Sequence, residues 1–256
     1  MLNTIFTIAQ NTFRETMRDR ILLAALAVVL IIIAFTLFIA SISIEQDVRM
    51  IVDFGTSAIY ILQIFVAIFI GSMLMYKEVE QKTFFLILPK PIRRYEIILG
   101  KALGLTATTF TVTLLSTLAL FAILLTKGAT LFVVPILLSV FLSTLEAMIL
   151  ILISIVFSGF TSPILSAIYT IVFFLAGHAG ESLRPLIMFP QSTVIEVVAR
   201  GIYYLLPNLE KFNIRNDIVF GDIPNATSII FSLLYALFYA SLLFFVASVT
   251  FKKKEF

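Results

Sequence analysis

The chain has 256 residues, 61% of them hydrophobic and 13% charged, with 26 Phe, no Cys, no Trp, one His and a formal charge of +3. A soluble domain is about 45–50% apolar and about 25% charged, so a mean hydropathy of +1.10 excludes the soluble globular class. Without Cys there are no disulfides, thiolate metal sites or cysteine nucleophiles, and a single His excludes a multi-histidine metal cluster within one chain.

The first 20 residues place Leu2, Phe6, Ala9, Phe13 and Met17 at helical spacing, with Asn3, Gln10, Arg14, Arg18 and Asp19 mostly on other faces. Such a helix either lies in the headgroup region or packs on another chain. Ile21 to Ile44 follows, 24 residues without a charge. It exceeds the 7–15 residues of a secretory h-region and reaches the ~20 needed to span a bilayer, so it reads as a retained first span. Phe54 to Tyr76, Ala102 to Thr126 and Leu131 to Phe157 are the next three, the last broken only by Glu146.

The uncharged stretch continues from Ala147 to Gly180. As one helix it would be about 50 Å long against a hydrocarbon core of about 30 Å. The breakers Gly159-Phe160-Thr161-Ser162-Pro163 are therefore expected to form a tight turn between spans four and five. Ala226 to Phe251 is the sixth span and ends at Lys252-Lys253-Lys254.

Charge orients the spans. With both termini on one face, that face carries 12 basic and 6 acidic residues, and the other 6 basic and 8 acidic. The basic excess marks the cytoplasmic side, so the positive balance is a topology signal and implies no nucleic-acid partner. Tyr76 and Tyr95 on the inner side, and Tyr203 and Tyr204 on the outer, stand where Trp usually sits at the interfaces. The expected fold is all-α: six transmembrane helices with both termini inside, in a single membrane domain over 1–256.

Residues 77–101, between spans two and three, hold six of the 18 Lys and Arg. Their first half reads as a short helix on which Phe84, Phe85 and Leu88 share a face, stopped by Pro89 and Pro91. Gly100 and Gly104 then offer a small face for close helix packing. By composition alone this is either a helix that inserts into a groove on a cytoplasmic partner or an ordinary basic loop touching phosphates. The order Glu78-x-Glu80-x-Lys82-Thr83, a leucine-rich helix, Pro91-Ile92-x-Arg94 and Gly100-Lys101 resembles the cytoplasmic loop of type-2 ABC exporter permeases, with Lys82 where that family has glycine. The resemblance implies that this loop is a coupling helix driven by an ATPase subunit, with Glu78, Glu80, Thr83, Phe84, Phe85, Leu88, Pro91, Arg94 and Lys101 at the contact.

No G-x-x-x-x-G-K-[ST] run occurs. On the exporter reading the chain is not itself an enzyme and binds no cofactor, and ATP and Mg sit in two copies of a separate ATPase subunit. Six spans make half a pathway, which implies a homodimer in the cytoplasmic, or inner, membrane. In the outer segment 178–225, Tyr203-x-x-x-Pro207-Asn208-Leu209-Glu210-Lys211-Phe212 resembles the permeases grouped with multicopper-enzyme and nitrous-oxide-reductase maturation. The segment itself is expected to close an outer gate that includes Pro207, Asn208 and Phe212 and to face an outer, periplasmic partner. The apolar run from Ser192 to Pro207 suggests short re-entrant or interfacial helices.

Three polar features remain. Glu146 near the centre of span four costs about 2.5–3.5 kcal/mol on insertion scales, so it either lines a wet pathway or is a structural carboxyl bonded to a hydroxyl such as that of Ser143. His178 lies near the outer end of span five, a position that separates it from Glu146 and counts against an acid–base pair. Met73 and Met75 read as packing, so no metal site is expected. Beside the exporter, a membrane-embedded enzyme and a membrane scaffold stay open as readings.

Overall fold

The computed structural model describes residues 2–42, 46–74, 93–180, 187–188, 196–197, 200–201, 203, 206–220 and 224–252. These residues are almost wholly helical, with no strand among them. The helices are α1 (Leu2–Met17), α2 (Arg20–Ile42), α3 (Asp47–Phe65), α4 (Arg94–Thr126), α5 (Val133–Ser158), α6 (Pro163–His178), α7 (Arg215–Phe220) and α8 (Ala226–Lys252). α3 continues through a π turn at Val66–Ile70 to Leu74. One-turn 3-10 segments cover Thr130–Phe132 and Leu209–Phe212.

Five of these helices are long and apolar enough to cross a membrane. The expected fifth span, α6, has only 16 residues, about 24 Å of helix. Its boundary follows from local chemistry: Pro163 at the first position suits a helix start, while Gly177 and Gly180 weaken helix at its end. The tight turn expected at 159–163 is present between α5 and α6.

α3, α4 and α5 form the interior. From Ala147 to Ile155 every residue of α5 is buried except the half-buried Met148. α2 and α8 lie outside, with Ile31, Phe35, Phe38, Phe231, Phe238 and Phe245 exposed. A soluble monomer rarely exposes apolar patches beyond a few hundred Å². This is the build of an all-helical membrane protein.

α1 packs along α4 of its own chain. The small face foreseen at Gly100 and Gly104 makes the contact: a Cβ on Gly104 would stand 2.6 Å from the Ala9 carbonyl oxygen and 2.7 Å from Thr12 Cβ. Gly104→Val is therefore expected to lift α1 from α4 at a cost of about 1–3 kcal/mol. A disulfide crosslink engineered between the two helices should form in the parent and fail in the variant.

Three contacts define one end of the bundle. Arg94 Nη1 donates to the Phe251 carbonyl oxygen at 2.7 Å, which brings the start of α4 to the end of α8. Gly159, after α5, lies against the Phe251 ring, and Gly100 lies against Ile8 of α1. At the opposite end Lys127 Nζ meets Asp47 Oδ2 at 3.0 Å, pairing the end of α4 with the start of α3. Gly128, with φ of 67°, makes the left-handed turn that leads toward α5.

Of the expected loop residues, Glu78, Glu80, Thr83, Phe84, Phe85, Leu88 and Pro91 lie outside the described residues, as do Met75, Tyr76, Tyr204 and most of the run from Ser192 to Pro207. Arg94 begins α4, and Lys101 is buried on it.

Candidate polar site between α3, α5 and α6

The only acidic residue of α5 organises a buried polar cluster. Tyr60 Oη on α3 donates to Glu146 Oε1 at 2.7 Å, and the same Oη lies 3.1 Å from His178 Nε2 on α6. His178 Nε2 is 3.5 Å from Glu146 Oε1 and 3.8 Å from Glu210 Oε2. The expected separation of Glu146 and His178 is thus overturned. α6 rises from the same end at which α5 finishes and stops after 16 residues. Measured from that end, His178 and Glu146 are both about 20 Å up their helices, so they meet at one level.

Glu146 also has a partner other than the one expected. Ser143 donates to the Val140 carbonyl oxygen one turn back at 3.1 Å, the usual way a helical Ser satisfies itself. The phenol of Tyr60 supplies the donor instead. Glu146 is 0% exposed, and its Oε2 has no hydrogen-bond partner among the described residues.

Residues 206–220 close the cluster. Leu209, Phe212, Ile214 and Ile218 are buried and form the apolar underside of this segment. The segment packs on α3, α5 and α6. Gly177 admits it, because a Cβ there would stand 2.7 Å from Leu209 Cγ and 2.8 Å from the Pro207 carbonyl oxygen. α8 holds it from the other side: the Asn208 N–H donates to Tyr235 Oη at 2.7 Å, Ser232 Oγ donates to the Lys211 carbonyl oxygen at 3.2 Å, and Lys211 Nζ sits 4.3 Å from the Tyr235 ring centre. Pro207 and Phe212 are buried and Asn208 is half-buried.

The polar side chains of this segment complete a closed circuit. Asn213 Nδ2 donates to Glu210 Oε1 at 3.0 Å, and Arg215 Nε donates to Asn213 Oδ1 at 3.1 Å. The Arg215 guanidinium carbon lies 3.7 Å from the centre of the Tyr60 ring, a cation–π contact strengthened where water is scarce. The circuit runs Glu146, Tyr60, His178, Glu210, Asn213, Arg215 and back to Tyr60. Two carboxyl groups, one guanidinium and one imidazole meet here, from the fully buried Glu146 to the part-exposed Glu210, and burial at the inner end strengthens their mutual interactions. One helical turn from Tyr60, Gln63 Nε2 donates to Thr144 Oγ1 at 3.0 Å, extending the polar seam between α3 and α5.

Sequence reasoning found Glu146 and His178 but missed Tyr60, Glu210, Asn213 and Arg215. One signal was readable: Tyr60 is the only Tyr between the ends of the second uncharged stretch, well away from where an interfacial anchor belongs. No group of three or more His, Asp or Glu among the described residues is arranged to hold a metal ion. Compared with known proteins, the chain matches no family model and no curated protein.

Proposed function

We propose that this chain is the membrane permease subunit of a type-2 ABC exporter, acting as a homodimer in the cytoplasmic membrane with two copies of a separate ATPase subunit that binds ATP and Mg. The observation that carries the reading is the 25-residue segment 77–101, in which four separated elements occur in the order of that family's coupling loop. Both chain termini and this loop would face the cytoplasm, in keeping with the basic excess on that side.

The bundle supports a coupling role for the segment. α4 starts at Arg94 and spans 33 residues, about 50 Å. Its first turns are clasped by α1 through Gly100 and Gly104 and tied to the end of α8 through Arg94. A displacement of the loop would move α1, α4 and α8 together, because such packed elements resist continuous deformation. Partway up the bundle from Arg94, packed on α3, α5 and α6, lies the segment carrying Pro207, Asn208 and Phe212, which acts as the outer gate over Glu146.

The test is purification of the chain with its neighbours and an assay of vanadate-sensitive ATP hydrolysis. Phe84→Ala is expected to lower that hydrolysis at least about tenfold, a loss of roughly 1.4 kcal/mol in coupling, with the complex intact. A stable monomer with no associated ATPase would sink the reading. A second reading, a membrane-embedded enzyme, gains from one observation: Tyr60 Oη lies within hydrogen-bonding distance of both Glu146 and His178, linking two groups of the kind acid–base chemistry uses. Turnover by the isolated chain without ATP would favour it.

A further inference from the structure

The contacts of His178 set a count of protons. Nδ1 lies 3.1 Å from the Phe174 carbonyl oxygen, which only accepts, so Nδ1 must carry a hydrogen to bond there. Tyr60 Oη owns a single hydrogen yet lies within bonding distance of two groups, Glu146 Oε1 at 2.7 Å and His178 Nε2 at 3.1 Å. With Glu146 ionised and His178 neutral, both of these are acceptors and one contact fails. Adding one proton satisfies all three contacts in either of two ways. In the first, His178 is an imidazolium whose Nε2–H donates to Tyr60, which donates to Glu146. In the second, Glu146 is a carboxylic acid that donates to Tyr60, which donates to Nε2.

We propose that Tyr60, Glu146 and His178 form a proton-binding site that holds one shared proton and exchanges it with the surface through Glu210. The two forms interconvert by a concerted shift. The Nε2–H bond breaks as Tyr60 Oη gains that hydrogen, and Tyr60 passes its own hydrogen to Glu146 Oε1, leaving atoms and net charge unchanged. The route outward follows exposure: Glu146 is 0% exposed, His178 19% and Glu210 35%. Every titratable or charged group facing the site among the described residues is on this path or beside it: Tyr60 from α3, Glu146 from α5, His178 from α6, and Glu210 and Arg215 from the closing segment. Arg215 sits against the Tyr60 ring and restrains a second proton from entering. An opening of residues 206–220 would expose the site and release its proton, which couples any transport step to proton exchange.

This inference goes beyond the exporter reading and is tested without an ATPase. His178 is the only histidine, so tag-free protein labelled with ¹⁵N-histidine, in lipid bilayers of uncharged phospholipid, gives one pair of ring-nitrogen resonances. Nδ1 is expected to stay protonated throughout a pH titration, while Nε2 moves as the shared proton leaves. In Glu146→Gln the amide donates to Tyr60 and replaces the acid form, so the Nε2 shift is expected to be lost. Glu210→Gln is expected to slow hydrogen–deuterium exchange at the site. A wild-type spectrum showing Nδ1 without its proton would overturn the proposal, and so would an Nε2 titration that is the same in Glu146→Gln. Exchange unchanged by Glu210→Gln would overturn the exit through that residue.

Discussion

Replacing Tyr60 with alanine is expected to destabilise the bundle by about 3–5 kcal/mol, the range for deleting a buried aromatic side chain. Tyr60 is 6% exposed. Its ring lies under Arg215 and beside Phe174, and its hydroxyl bonds Glu146. The alanine variant loses all of these and leaves a void at the junction of α3, α5 and α6. Tyr60→Phe separates ring from hydroxyl, and its expected cost is only about 1 kcal/mol. The reason is geometric: His178 Nε2 and Glu146 Oε1 stand 3.5 Å apart, so a small rotation lets them bond directly once the phenol is gone. Thermal unfolding of the three proteins in one detergent reads the difference. A phenylalanine variant as damaged as the alanine variant would place the stabilisation in the hydroxyl.

Phe212→Ala is expected to cost about 3 kcal/mol, the lower end of the range for Phe, because lipid tails recover part of the apolar contact that water would not. Phe212 is 1% exposed and packs with Leu209, Ile214 and Ile218 beneath the closing segment. The loss is local. Hydrogen exchange at residues 209–220 is expected to speed up by about a hundredfold, since each 1.4 kcal/mol of opening free energy is a factor of ten. The interior amides of α4 and α5 should stay protected; loss of protection spread evenly over the whole bundle would show that the segment does not open on its own.

The contrast between these residues shows what a one-dimensional reading of this chain reaches. Uncharged runs reveal the spans because the bilayer penalises every charge in the same way, and Gly100 with Gly104 revealed a packing face because spacing on a helix is periodic. Glu146 stood out by the same penalty. The turn expected at 159–163 already sets Glu146 and His178 at about one height, but their meeting was not legible, since an uncharged run does not say which faces of α5 and α6 turn toward Tyr60 of α3. Glu210 and Arg215 were hidden for the opposite reason: charged residues in a segment between spans look solvated, and only the burial of Leu209, Phe212 and Ile218 turns their polar side inward. Likewise the start of α3 at Asp47 takes in Arg49 and Asp53, charges that ended the uncharged stretch without ending the helix.

The π turn at Val66–Ile70 gives α3 a place where its length is negotiable. A π turn closes its ring over one residue more than an α turn. Losing one residue there would restore regular helix and leave Tyr60 above and Gly71 below facing the partners they have, Glu146 on one level and Ser154 on the other. Losing one residue elsewhere in α3 would turn everything beyond it by about 100°, carrying Gly71 off Ser154 and Ser72 off Ser166. Within this helix, an evolutionary change of chain length has one site at which both halves keep their partners.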